Sequence, residues 1–435
     1  MIWSSWQVIL FLVGTGFSWL LFEYALHKNR QLIDAETTEA GWKKAVSVHP
    51  MLEKLMPFDK YLKSVAYAKV NALFGFCSRN FDRLCSFAVL ALCIYPLLFS
   101  IAGTCMPLAL VIVASIMAIV DWILAAPFEA YDTFKIEEDF GFNTQTTSTW
   151  CIDKLKELGI NIAISSVSLL AMYYGIKLFL AWTGANIQSW SFIIAMTVGA
   201  SLLSLCYEAL YINVIAPLFN KFTPLQDKEL DSRIKQILNA KGFSVSGIYV
   251  MDASRRSKHG NAYFTGFGKM KRIVLFDVLL KTHTADEILA ILAHETGHLV
   301  HRDILKWRIS SALMTALTTF LTVMLISTPD IYNAFGFSCV NNGNISEWYV
   351  VGFYLAETVL GAVLWPLDVL SSINSRKQEY AADAFAKEAV GAEPMKTGLI
   401  KLYADSLSNP HTHPLLEFCY YGHPTLLHRL EALSK

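Results

Sequence analysis

Seven stretches of about 20 mostly apolar residues, the length a helix needs to cross a bilayer's hydrocarbon core, decide what this chain can fold into. They cover residues 3–21, 84–102, 108–126, 160–182, 190–209, 309–327 and 349–367. No basic residue precedes the first one. It runs into Phe22, Glu23 and Tyr24 without a small-residue cleavage site, so it reads as an uncleaved span rather than a signal peptide. Composition agrees. Of 435 residues 54% are hydrophobic and 17% charged, whereas a soluble domain carries about 25% charged residues. So apolar a chain does not stay disordered in water. With 36 basic residues against 36 acidic ones, no net field attracts nucleic acid. Eight cysteines in this length do not make a disulfide scaffold.

The loops between these stretches test the count. Residues 27–83 carry ten Lys or Arg, and 103–107 none. Lys135, Lys154 and Lys156 lie in 127–159, and 183–189 has none. Residues 220–308 are rich in Lys and Arg, 328–348 have none, and Arg376 and Lys377 follow the last stretch. Basic and non-basic loops alternate throughout, as the positive-inside rule expects of an odd number of spans. The N-terminus is therefore expected on the luminal or extracellular side and the C-terminus in the cytosol. On the luminal side lie a glycosylation sequon, Asn344-Ile345-Ser346, and Cys105 and Cys339, which can pair. Asp121, Lys177, Glu208 and Glu357 fall within the spans. Lys177 and Glu208 are close to span ends. Asp121 and Glu357 suggest helix faces that look into water, or else a hydrogen bond between helices.

The chemistry lies in the basic loops. Residues 284–302 read TADEILAILAHETGHLVHR: Thr284 caps, Asp286 and Glu287 suit a first turn, and the apolar spacing is helical. Inside sits His294-Glu295-Thr296-Gly297-His298, an HExxH, of which chance predicts about 0.02 in such a chain. Residues i and i+4 share a helix face, so both imidazoles can reach one zinc ion. Glu295 projects beside them, positioned to accept a proton from a water that the ion acidifies. His301 is about 10 Å along the axis from His294 and cannot join both histidines. Just past the last span, Ser375-Arg376-Lys377-Gln378-Glu379-Tyr380-Ala381-Ala382-Asp383 offers a better third ligand. Glu379 can complete a His-His-Glu site, and Asp383 can hold a ligand imidazole from behind. Between them, 248–252, 261–266 and 272–277 read as a small sheet or hairpin. Asn261, Ala262 and Tyr263 suit an edge on which a peptide substrate lies as an added strand; an ordinary structural strand is the bland alternative. In the tail, His423-Pro424 followed by Arg429 can supply a donor to the oxyanion of a tetrahedral intermediate. His411 and His413 stay unassigned.

These residues carry a resemblance. PFEAYDTFKIEEDFGFNTQT from Pro127, APLFNKFTPL from Ala216, DASRRSKHGNAYFTGFGKMKRIVLFD from Asp252, HETGH from His294, SRKQEYAADAFA from Ser375 and HPTLLHRL from His423 resemble the integral-membrane type I CAAX prenyl endopeptidases, gluzincin-like zinc metalloproteases. The resemblance implies a mainly α polytopic protein. Its seven transmembrane helices form an α-barrel around an intramembrane chamber, and a zincin-like cytosolic metalloprotease part carries a small β-sheet. The expected division is 1–219 for spans one to five, 220–306 for the hairpin and HExxH part, 307–370 for spans six and seven, and 371–435 for the C-terminal part with the third ligand. It implies one Zn2+ on His294, His298 and Glu379, Glu295 as base, His423 as oxyanion donor supported by Arg429, and substrate backbone on Asn261 to Tyr263. The implied reaction removes the AAX tripeptide from prenylated CAAX proteins, amid membrane lipids of the endoplasmic reticulum and inner nuclear membrane. Two other readings share the sequence: a quality-control protease of membrane proteins, and a prenyl-binding scaffold with a vestigial site.

Overall fold

The computed structural model describes residues 5–266, 271–338 and 345–435. Cys339 and the Asn344 sequon lie outside the described residues. Each of the seven expected spans is helical: Trp6–Glu36, Phe58–Ala91 continued by Ile94–Ala102, Met106–Tyr131, Thr147–Thr183, Trp190–Leu210, Asp303–Ile326 and Tyr349–Val390. Ser5, Thr146 and Ser189 start three of them by accepting the N–H of the residue three positions on. The second span is broken. Cys93 sits at φ 49° and Pro96 lacks an N–H to donate, so the two halves meet at 58°. Gly14 lets the first helix cross the last: a Cβ there would lie 2.4 Å from the Ala362 carbonyl oxygen.

The spans wall a hollow rather than pack into a bundle. No candidate span buries more than 33% of its apolar window, whereas a close-packed bundle would bury its central helices. A cavity of about 940 Å³ opens between the first, second, third and seventh spans, lined by Phe11, Trp19, Arg83, Asp121 and Tyr354. Asp121 thus faces the cavity, and Glu357 is exposed three residues on from Tyr354. The two carboxylates read as water-facing are therefore not sealed between helices. Lys177 bonds Glu347 and Tyr173, and Glu208 accepts from Arg308 Nη2 at 2.9 Å.

Beyond the spans, four short strands form one sheet in the order β1 (Phe222–Pro224), β2 (Gly247–Met251), β4 (Arg272–Phe276), β3 (Ala262–Thr265). β2 and β4 are parallel; β1 and β3 run antiparallel to their single neighbours, which leaves β3 as an open edge. The HExxH helix, Ala285–Val300, lies between two apolar cores. Ile288 and Leu292 pack toward Ile273 and Leu275 of β4, while Ala290 and Ala293 join Ala386, Leu399 and Leu430 of the C-terminal helices. Its start is fixed by a capping box: the Glu287 N–H donates to Thr284 Oγ1 and the Thr284 N–H to Glu287 Oε2.

Glu287 also accepts from Lys401 Nζ at 2.7 Å, tying this helix to Ala392–Asp405. Burial opposes its ionisation, but the bonds from Lys401 and Thr284 prevail and hold the carboxyl below the ordinary range. A carboxyl lowered on folding stabilises above its unfolded pKa and loses that contribution as acid titrates it through the folded value. Lys401→Met is expected to remove roughly 1.5–3 kcal/mol at pH 7. Thermal unfolding in detergent should show a lower Tm at neutral pH, with the gap to wild type closing below about pH 4.

Candidate metal centre

His294 and His298 stand one turn apart on the HExxH helix, and Glu379 approaches them from Tyr349–Val390. The two helices come this close because the residue between the histidines' turns is glycine. A Cβ on Gly297 would lie 2.9 Å from Ala382 Cα and 3.2 Å from its Cβ. Ala382 is fully buried. Its small side chain and the absent one on Gly297 bring the backbones into contact, and Glu379 and Asp383 flank that contact on the same helix.

The donor atoms of the three residues come together, each imidazole meeting a different oxygen of the carboxylate. His294 Nε2 and His298 Nε2 are 3.3 Å apart, His294 Nε2 is 3.4 Å from Glu379 Oε2, and His298 Nε2 is 3.4 Å from Glu379 Oε1. A tetrahedral ion with ligands at about 2.0–2.1 Å has ligand–ligand edges of about 3.3–3.4 Å. One oxygen of Glu379 and the two Nε2 atoms, all within 4.8 Å of one another, are close enough to converge on such an ion. Glu379 is 4% exposed and its Oε2 finds no hydrogen-bond donor of good geometry, an orphaned buried oxygen that a cation would satisfy. The residues present fit a small divalent metal. His301 is not in the group.

Behind each imidazole is a carboxylate. His294 Nδ1 lies 2.8 Å from Asp383 Oδ1, and His298 Nδ1 lies 3.0 Å from Asp303 Oδ2. Each contact leaves the Nε2 lone pair for the ion. Asp303 was not foreseen: as the first residue of the sixth span it looks like an ordinary acid in a helix's first turn. It returns to His298 because Arg302, at φ 56°, reverses the chain sharply after the HExxH helix. Arg429 is buried and forks onto Asp383, with Nε to Oδ2 at 2.8 Å and Nη2 to Oδ1 at 2.6 Å. Nη1 stands 3.7 Å from Glu379 Oε2. Its two shortest bonds go to Asp383, the carboxylate behind His294, while the resemblance implied support of His423.

Glu295 points beside the cluster. Burial raises its carboxyl above the ordinary range, against the opposing pull of both histidines. A carboxylate kept more basic than usual suits a proton acceptor. The His423 side chain is 71% exposed, with Nδ1 3.0 Å from Glu379 Oε2. Asn261 caps the start of β3, its Oδ1 accepting the Ala262 N–H at 2.8 Å. Ala262 and Tyr263 continue that strand, which lies beside the HExxH helix with one edge open. Tyr263 also lines a cavity of about 740 Å³ with Phe264, Leu299, Ile304 and Arg308. His413, left unassigned, caps Pro414–Tyr420 through Nδ1, and the His411 ring stacks edge-on against Tyr61.

Comparison with known proteins agrees with this geometry. Residues 224–435 match the model of peptidase family M48, and 42–221 match that of the CAAX prenyl protease N-terminal, five membrane helices. CAAX prenyl protease 1 of Saccharomyces cerevisiae is 31% identical over 88% of this chain and 88% of its own length. The chain belongs to the CAAX prenyl protease 1 family. The human CAAX prenyl protease 1 homolog is 28% identical over 95% of this chain and 94% of its own. The crystal structure of S. mikatae Ste24p superposes with a TM-score of 0.85 at 28% identity, covering 98% of this chain and 99% of that one. This family member is a multi-pass membrane metalloendopeptidase, and the mainly helical, chambered architecture that the resemblance implied holds across the described residues.

The Gly297–Ala382 contact is testable. Gly297→Val forces the two helices apart, an overpacking strain of about 1–3 kcal/mol. The purified variant is expected to hold less than half the wild-type metal by elemental analysis. Adding Ala382→Gly removes the 3.2 Å contact and should restore part of it.

Proposed function

We propose that this protein is a zinc endopeptidase that removes the C-terminal AAX tripeptide from prenylated CAAX proteins, at the cytosolic side of the endoplasmic reticulum membrane. The observation that carries the reading is the cluster of His294, His298 and Glu379, with ligand atoms within 4.8 Å of one another, beside a strand edge in a membrane protein of this family. In this reading residues 1–219 and 307–370 supply the membrane wall, 220–306 the strand edge and the two imidazoles, and 371–435 the third ligand and the tail histidine.

Zinc, when bound, supplies a Lewis acid that acidifies water and polarises the scissile carbonyl. The protein's own groups do the rest. Ala262 and Tyr263 offer backbone N–H and C=O groups to an extended peptide, and the side chain of Asn261 fixes the start of that strand. Glu295 takes a proton from the attacking water as its oxygen bonds to the carbonyl carbon. It then delivers that proton to the amide nitrogen as the C–N bond breaks, so the AAX tripeptide leaves as an amine. His423 turns from Glu379 toward the carbonyl oxygen and donates to it as negative charge develops there. Asp383 and Asp303 keep both imidazoles oriented, and Arg429 holds Asp383 in place. The prenyl chain needs an apolar lodging within reach of the metal. The hollow between the spans offers apolar faces for one at Phe11, Trp19 and Phe81.

Glu295→Gln should lower cleavage of a farnesylated CAAX peptide by about 10²–10⁴-fold, the scale of general-base catalysis, at unchanged zinc content. Glu379→Ala should lose the zinc itself, read by elemental analysis. A chelator should abolish wild-type turnover and zinc restore it. An unprenylated peptide of the same sequence should be cut far more slowly; equal rates on both peptides would favour the quality-control reading.

A further inference from the structure

His423 is exposed, so packing does not fix its ring; the backbone on either side does. Its loop joins Pro414–Tyr420 to Leu426–Ser434. The last carbonyls of the first helix have no intrahelical donors. Arg376 ties this end: Nη2 donates to the Phe418 carbonyl at 3.2 Å, and Nη1 to the Tyr421 carbonyl at 2.5 Å and to the Glu417 carbonyl at 2.8 Å, which also accepts the Tyr421 N–H at 3.2 Å. Beyond the loop, the buried Glu417 carboxylate accepts the Thr425 N–H at 3.1 Å and lies 3.1 Å from His428 Nδ1. Gly422, between these ties, packs on the same helix as Arg376: a Cβ there would lie 3.3 Å from Ser375 Oγ.

Arg376 stands three residues before Glu379, about one turn. The side chain that anchors the His423 loop and the carboxylate that completes the metal site therefore share one rigid helix. We propose that Arg376 is a positioning residue for His423: it pins the carbonyls at the entry to the loop, while Glu417 ties the exit, so that the His423 backbone is held at a fixed offset from Glu379 while its ring can turn between Glu379 and the substrate. This rests on the reading of His423 as the oxyanion donor. Arg376 lies outside the group that could hold the metal, and its effect on the reaction passes through one histidine.

That last point makes a double-mutant cycle the test. Full-length wild type, Arg376→Met, His423→Ala and the double variant are purified in detergent and assayed for kcat and KM on a farnesylated CAAX peptide, with zinc content and Tm measured alongside. Loss of an oxyanion donor costs about 10²–10³-fold in kcat, expected for His423→Ala. Arg376→Met is expected to lose at least about tenfold in kcat with KM little changed and zinc retained. The double variant should be no slower than His423→Ala alone, because the second change has nothing left to displace. Multiplying losses in the double variant, or wild-type kcat for Arg376→Met, would overturn the assignment while leaving the role of His423 standing. Wild-type kcat for His423→Ala would overturn both. Should Arg376→Met fold poorly, Arg376→Lys keeps the charge and part of the bonding and enters the same cycle, with an intermediate loss expected.

Discussion

Two helices from distant parts of the sequence touch backbone to backbone at Gly297 and Ala382, and the metal site depends on that contact. A glycine within HExxH is costly for the helix, about 1 kcal/mol relative to alanine, yet a larger side chain there would push Ala382, and the helix carrying Glu379 with it, away from the imidazoles. The spacing of the donors is thus set by packing before electrostatics acts. The capping box at Thr284 and the Glu287–Lys401 bond then hold the HExxH helix against slipping along its partner. Asp383, on the same side of the long helix as Glu379, aligns the ring of His294.

Charge accounting explains why this packing calls for a divalent ion. Glu295, Glu379 and Asp383 bring three negative charges into a buried space, and Arg429 answers one of them. Asp303 is balanced separately by Lys306 at 2.9 Å. The carboxylates hold His294 and His298 toward their protonated forms, and a divalent cation can take the place of those two protons. Without it, Glu379 leans on His294, His298 and His423 together. His423 has two partners by this account, Glu379 and the carbonyl oxygen of a substrate. That exchange requires an anchored loop with a free ring, the combination that Arg376 and the exposed imidazole provide.

What was legible in the sequence follows from the range of the forces involved. Span length and loop charge are local properties, so all seven spans could be read directly, although the break at Leu92 and Cys93 could not: an apolar run shows length but not direction. Histidines four apart on a helix declare a shared face, and Glu379 with Asp383 does the same on its own helix. Asp303 and Arg376 escaped notice because their local surroundings are those of any first-turn acid and any basic residue beyond a span. Their partners are fixed only once the chain has turned at Arg302 and the tail has folded back. Arg429 was located near the site by its motif, but which carboxylate it would clamp is a matter of tertiary geometry.

The membrane and the chemistry are not separate layers of this molecule. Tyr349–Val390 is one uninterrupted helix whose first half lines the hollow and whose second half presents Arg376, Glu379 and Asp383. The sixth span begins at Asp303, the residue behind His298. Tilting either span must therefore move a group that orients or completes the metal site, and straining the site must load the wall of the cavity. Such continuity suits an enzyme whose substrate is half lipid: the part that dissolves in the chamber and the part that is cut are referred to the same two rods. A soluble protease domain tethered by a flexible linker would have no means of keeping them in register.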